Sequence, residues 1–422
     1  MGCAIHGKWF SSWWLEKILK IPPQSLGRLS RFSPLDDSKC IRYHTVMRLF
    51  DIDIEEGLEI AERVNTKYKP AFDKFNPEQR AALAWYFLPH KSNKQILGVT
   101  RPRVVKWFCP FADQKEFPSG HRYCINVYAG CSHGCKYCYA QGYEPNQARC
   151  KDNFKKKLLK DLAEIEEFNL PPAPVHLSNS TDAFQPLELK QRLALYTLGQ
   201  LQQYRRHFTS ITILTKNPTV LTEPEYLKAL KSLRALPADH PRKNLFNSKL
   251  VPALRVEISL AFWDEGSAEF YEPGAPAVAQ RTAAIKTLRQ NDIPVVLRID
   301  PLLPRNPLPS GKLLADFQLP DAQGLAALEK LIRFAAENGV LHIVYSVAKI
   351  VAPRYKPIPE AIQQLKQVYE YVAKPDKLIF RGGSWRLPHN IAQKHIVKPF
   401  LEICDSFGMK AYFCKQNLLS TP

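Results

Sequence analysis

The alternation of apolar and polar positions changes character near residue 120. Before that point, residues 1–110 read as irregular and largely helical. The clearest helix follows Asn76-Pro77-Glu78, where Asn76 can cap, Pro77 suits the first turn and an Ala/Leu/Trp/Phe face follows. The stretch "NKQILGVTRPRVVKWF" (93–108) has the outline of a shortened helix-turn-helix, with Gly98 at the turn and Arg101, Arg103 and Lys106 beyond; amphipathic core helices give the same outline. From residue 120 a regular series begins. Strand-like runs are 122–130, 173–179, 210–216, 253–262, 293–300 and 340–348, separated by helical patterns at 153–167, 187–205, 223–234, 275–291 and 322–338. Short β-rich apolar runs suit strands covered on both faces, and helical crossovers make the sheet mostly parallel. Six such units predict an α/β fold, an open partial (β/α)6 barrel whose site lies at the C-terminal strand ends. Pro353, Pro357 and Pro359 then interrupt the series. A helix near 360–373, the loop "RGGSWRLPHN", a helix near 391–407 and a last strand "KAYFC" complete the chain. The expected organisation is a helical N-terminal region (1–115), a barrel core (116–350) and a C-terminal extension (351–422) over the barrel mouth or edge.

Composition is that of a soluble globular protein: 45% hydrophobic and 23% charged. There is no apolar run long enough to span a bilayer, and the start "MGCAIH" lacks the features of a secretory signal or a myristoylation site, so the expected location is the cytoplasm with no membrane partner. Lys and Arg outnumber acids 59 to 40, a formal charge of +19. That balance suits DNA or RNA through phosphate contacts, an acidic electron-donor protein, or simply a repulsive solvated surface.

Ten cysteines are too sparse for a disulfide scaffold, yet Cys131, Cys135 and Cys138 crowd into "GCSHGCKYCYA" (130–140). Three soft thiolates on one tight loop suit an iron–sulfur cluster or zinc, and Gly134 lets the backbone curl around it. With no fourth cysteine in the loop, one metal position stays open for chemistry. A structural zinc could instead recruit His133, Cys124 or Cys150, although no second CxxC-like half is present.

Cys-x3-Cys-x2-Cys, with an aromatic residue before the third Cys and a (β/α)6 series behind it, resembles the radical S-adenosylmethionine (SAM) superfamily. The resemblance implies a partial TIM-like barrel and a [4Fe–4S] cluster on the three cysteines. It also implies SAM on the fourth iron, reductive cleavage of SAM to a 5′-deoxyadenosyl radical, and hydrogen abstraction from a substrate. A narrower likeness, over about 120–305, is to the spore photoproduct lyase-like branch. It is carried by "LSNSTDAFQPLE" (177–188), "TILTKNP" (212–218), "VEISLAF" (256–262), "YEPGAPAVAQR" (271–281) and "VVLRIDPLLP" (295–304). By position, the resemblance puts Tyr137 beside the SAM adenine, Thr181 at its methionyl end, Lys216 on its carboxylate and Ser259 near its ribose. Tyr139 takes a catalytic place after the third cysteine. One position departs: Asn179 stands where authentic spore photoproduct lyase has a hydrogen-donating cysteine, so dimer reversal by the same relay is not expected. Cys109, Cys124 and Cys150 read as free thiols near the barrel entrance, any of which could serve instead. Arg381-Gly382-Gly383-Ser384-Trp385-Arg386 could hold a phosphate or stack a base, or be a plain turn. The leading expectation is a radical SAM enzyme acting on an unidentified substrate, nucleic acid among the options, with a flavodoxin- or ferredoxin-like donor. The alternative is a nucleic-acid-binding iron–sulfur protein with a structural or redox-sensing cluster.

Overall fold

The computed structural model describes residues 4–5, 8–9, 104–106, 123–142, 147–167, 172–238, 240, 252–351, 357–381 and 383–414. The helix expected after Asn76, most of the helix-turn-helix-like stretch and Cys109 lie outside them. The chain divides into two compact units, Met1–Phe108 with Ala163–Pro171, and Cys109–Leu162 with Pro172–Pro422. The larger unit carries the site.

Seven of its strands pair in parallel, in chain order: β1 (Tyr123–Ile125), β2 (Ala173–Leu177), β3 (Phe208–Thr215), β4 (Leu254–Ser259), β5 (Val295–Leu302), β6 (Ile343–Val347) and β7 (Ala411–Phe413). Right-handed crossovers between parallel neighbours taken in sequence put every connecting helix on one face of the sheet. In such an arrangement the other face is the inner one, as in a barrel.

The side-chain period of two divides the strands accordingly. One set, including Ile125, Leu177, Ile213, Ile258 and Ile299, is apolar and fully buried. Each such side chain contributes roughly 1.5–3 kcal/mol on burial. This set lies under the helices: Tyr345 of β6 packs its ring 5.2 Å from that of Phe400, in helix Lys398–Ser406. The alternate set carries the polar side chains, with Val296 and Val344 interspersed among them. In register across the sheet run Cys124, His176, Thr212 and Arg255, and further along come Glu257, Arg298, Asp300 and Ser346. Arg298 bonds Glu257 at 2.7 Å and Asp300 at 2.6 Å, while Arg255 holds the other Glu257 oxygen at 3.0 Å. Burial acts to raise the Glu257 carboxyl, but Arg255 and Arg298 outweigh it and hold it far below the usual carboxylate range.

The helices follow the expected order with two differences. The helix expected over 187–205 breaks at Arg192, whose φ of 51° is left-handed, into Glu188–Gln191 and α1 (Leu193–Gln203). An additional helix, α2 (Glu265–Tyr271), precedes α3 (Val278–Gln290); Asp264 caps α2 by accepting from the Ser267 amide at 2.7 Å. The last strand pairs in parallel with β6 at the edge of the sheet. Residues 350–386 add a small antiparallel sheet, in which Ile379–Arg381 and Ser384–Arg386 form a hairpin. Among the described residues no helix is long and apolar enough to cross a membrane.

Candidate functional site

The cysteine loop follows β1 and is held by segments from two other strand ends. From the segment after β2, Gln185 accepts from the Ser132 amide at 2.9 Å and donates to the Gly130 carbonyl at 3.2 Å. Asp182 meets Nε2 of His133 at 3.0 Å, and it also accepts from the Thr215 hydroxyl at 2.9 Å and the Lys216 amide at 2.7 Å. Burial acts to raise the Asp182 carboxyl, but these bonds, His133 first, keep it below its ordinary value. From the segment after β4, the Tyr271 carbonyl accepts from the Lys136 amide and the Gly274 amide donates to the His133 carbonyl, both at 2.9 Å. Gly274 has to lack a side chain, because a Cβ there would lie 2.4 Å from the Ser132 oxygen. Gly134 takes a φ of +60°, which suits glycine.

Sequence reading had singled out "TDAFQPLE" as a pattern without assigning work to its Asp, Gln or Glu. The structure shows what each does. Asp182 and Gln185 brace the cysteine loop, and Glu188 caps α1 through the amides of Ala194 and Leu195, both at 2.9 Å. His133 has both ring nitrogens engaged, one with Asp182 and one with the Gly274 carbonyl at 2.9 Å. It is therefore not placed to complete a zinc site, one of the three ways the alternative above allowed.

Cys135 is buried, and Cys131 and Cys138 are half-buried. Burial pushes the Cys131 thiol up to about 11, with the Asp182 carboxylate adding to the rise. Burial likewise raises Cys135, with further contributions from Cys138 and Cys131. Among the described residues, no three His, Cys, Asp or Glu side chains converge as a ready-made metal site. What fits a soft metal centre is the donor set: three cysteines on one braced loop, whose thiolate forms a bound cation would stabilise.

Beside the loop, at the ends of β3 and β4, the chain gathers Tyr137, Lys216 and Ser259. The Lys216 ammonium donates to Ser259 Oγ at 2.6 Å, to the Tyr137 hydroxyl at 2.8 Å and to Glu272 Oε1 at 2.9 Å. Tyr137 in turn donates to Glu272. The other Glu272 oxygen accepts from Arg281 Nη1 at 2.6 Å. Glu272 is fully buried, and burial acts to raise it, yet Lys216 and Arg281 hold it down at about 2. Aromatic rings line this group: Phe262 stacks on Tyr271 at 5.2 Å, and Tyr137 lies 6.3 Å from Phe262. Glu272 and Arg281 were visible in the sequence as parts of "YEPGAPAVAQR", but nothing in their spacing assigned them a partner.

Thr181 is buried and donates to the Tyr128 carbonyl at 3.2 Å, so its hydroxyl is used apart from the Lys216 group. The exposed Tyr139 donates to the Asn179 carbonyl. The Asn179 amide reaches Cys124 Sγ at 2.7 Å and His176 at 3.1 Å. In the C-terminal hairpin, Phe380 is 58% exposed and packs 5.0 Å from Trp385, with Lys366 over the Trp385 ring at 5.1 Å. Burial, with Arg381 nearby, lowers the Arg386 guanidinium.

Fold and site together define an α/β protein with parallel strands in barrel order and a three-cysteine loop on its C-terminal rim. No family model matches the chain. An uncharacterized protein of Methanocaldococcus jannaschii is 25% identical over 193 residues, 44% of this chain and 62% of that protein, so the match spans less than two thirds of that relative's length. Among solved structures, a spore photoproduct lyase variant with dinucleoside spore photoproduct is similar at a TM-score of 0.47 and 14% identity, over 75% of this chain and 80% of that one. The radical S-adenosylmethionine methyltransferase TsrM from Kitasatospora setae, with tryptophan and a SAM analog, gives a TM-score of 0.35 and 12% identity, over 60% and 39%.

Proposed function

We propose that this protein is a radical SAM enzyme. The observation that carries the reading is the pairing of a braced three-cysteine loop with a buried lysine cradle at the neighbouring strand ends. Cys131, Cys135 and Cys138 would hold a [4Fe–4S] cluster, which with SAM supplies reductive cleavage and a carbon radical. The chain's own residues bind and orient. Lys216 offers a point charge to the SAM carboxylate, and Ser259 offers a hydroxyl to the ribose. Tyr137 provides an aromatic wall for the adenine, while Thr181 steadies the methionyl end by fixing the Tyr128 backbone. Tyr139, exposed beside the loop, offers an abstractable O–H; Asn179, to which it is bonded, has no thiol to offer.

A nucleic-acid substrate is the favoured class within this reading. It is supported by the +19 charge and by a hairpin that sets the exposed Phe380, tilted against the half-buried Trp385, near Arg381, Arg386 and Lys366. An acidic flavodoxin- or ferredoxin-like protein would supply the electron, in the cytoplasm.

The test is anaerobic reconstitution, reduction with dithionite in the presence of SAM, and product analysis against DNA, RNA and peptides. Formation of 5′-deoxyadenosine that rises with one substrate class is expected. Full iron loading with intact SAM would instead favour a structural or redox-sensing cluster.

A further inference from the structure

A lysine ammonium has three N–H donors, and all three of Lys216 are taken, by Ser259, Tyr137 and Glu272. Nothing is left for a ligand carboxylate unless one partner leaves. Ser259 and Tyr137 are neutral, so exchanging either for a carboxylate would set two negative charges on one ammonium. Glu272 is the partner whose departure keeps the charge balanced.

The surroundings favour that exchange. Lys216, Arg281 and Glu272 together carry two positive charges and one negative, all withdrawn from water: their side chains are 13%, 1% and 0% exposed. A buried group with net charge +1 favours one further anion. Arg281 also has donor capacity to spare. Its Nη1 serves Glu272 and the Ser259 carbonyl, but its Nε is buried without a partner. An unmet cationic donor next to a shared carboxylate is a second place for that carboxylate to go.

We propose that Glu272 is an internal stand-in for the ligand's carboxylate, bonded to Lys216 in this structure and passed to Arg281 when an amino-acid carboxylate takes its place. The inference rests on the cofactor reading above and adds to it a built-in competitor, which tempers binding through the ligand's carboxylate and leaves Lys216 paired when no such ligand is present. Arg281 is a positioning residue: it receives Glu272 and never meets the ligand.

Equilibrium dialysis against the anaerobically reconstituted protein tests this, with SAM and its decarboxylated analogue as paired probes. In Glu272→Gln the competitor loses its charge, and the ratio of SAM to analogue affinity should rise about tenfold. Arg281→Lys keeps the charge but loses the spare donor, and should lower SAM affinity by about tenfold while leaving the analogue unchanged. Either variant, if folded by circular dichroism, decides the matter. Equal losses for both probes in the variants would mean that Glu272 and Arg281 merely prop the site open, and would overturn the exchange. Binding of neither probe to iron-loaded wild-type protein would overturn the cofactor reading itself, and the stand-in with it.

Discussion

Glu188 and Glu272 are both fully buried carboxylates, and both belong to patterns that follow a strand of the same sheet. Their partners differ. Glu188 accepts only from neutral donors: the Ala194 and Leu195 amides, the Tyr226 hydroxyl at 2.6 Å and the Tyr128 hydroxyl. Four donors converge on it from three places in the chain, and none of them is a cation. Glu272 sits between two cations and shares both. The first carboxylate ties a helix start to the strand ends and has no alternative arrangement. The second is one charge in a group of three, where partners can be traded. A buried acid therefore reads as scaffold or as working part according to what surrounds it.

The largest expected effect falls on the scaffold side. Glu188→Ala leaves two buried hydroxyls and two helix-start amides unmet, and should cost about 3 kcal/mol or more in urea unfolding. Wild-type stability in that variant would erase the contrast. Lys216→Ala should fold and keep its iron, yet bind SAM roughly tenfold or more weakly, since a charge-assisted contact is worth roughly 1.5–3 kcal/mol. Unchanged affinity would remove Lys216 from the site. Gly274→Ala forces the cysteine loop away from the segment after β4, at about 1–3 kcal/mol, and should show first as lowered iron content at unchanged circular dichroism. The effect confined to the narrowest conditions is the acid response. Glu272 titrates at about 2 rather than its ordinary 4.5, so its share of stability is complete above 4.5 and is lost as pH falls toward 2. A Glu272→Gln variant should lack that part of the acid sensitivity, and identical acid unfolding curves would show that the pair contributes nothing.

Much of this was legible in the sequence, because the signals were local. Three thiols in eight residues and a strand–helix alternation need no long-range information, and the strand order followed from the parallel topology they imply. What escaped was set by contacts between distant segments. Glu272 and Arg281 gain their meaning from Lys216, which lies 56 residues before the acid, and spacing alone does not reveal that neighbourhood. The breaks were subtler. Arg192 divides a helix although nothing in its own residue type forbids continuation, because Glu188 caps the second piece from outside. The helix after Asp264 did carry a local signal, an acidic cap, but at seven residues it was too short to show an apolar face. Ala411–Phe413 is shorter still, and only its partner β6 makes it part of the sheet.

The central claim is that Cys131, Cys135 and Cys138 hold an iron–sulfur cluster, and metal analysis of anaerobically purified, reconstituted protein tests it most directly. The account predicts about four iron and four sulfide per chain, lost on replacing any one of the three cysteines with Ala. Stoichiometric zinc with no iron, or iron retained without these cysteines, would contradict it.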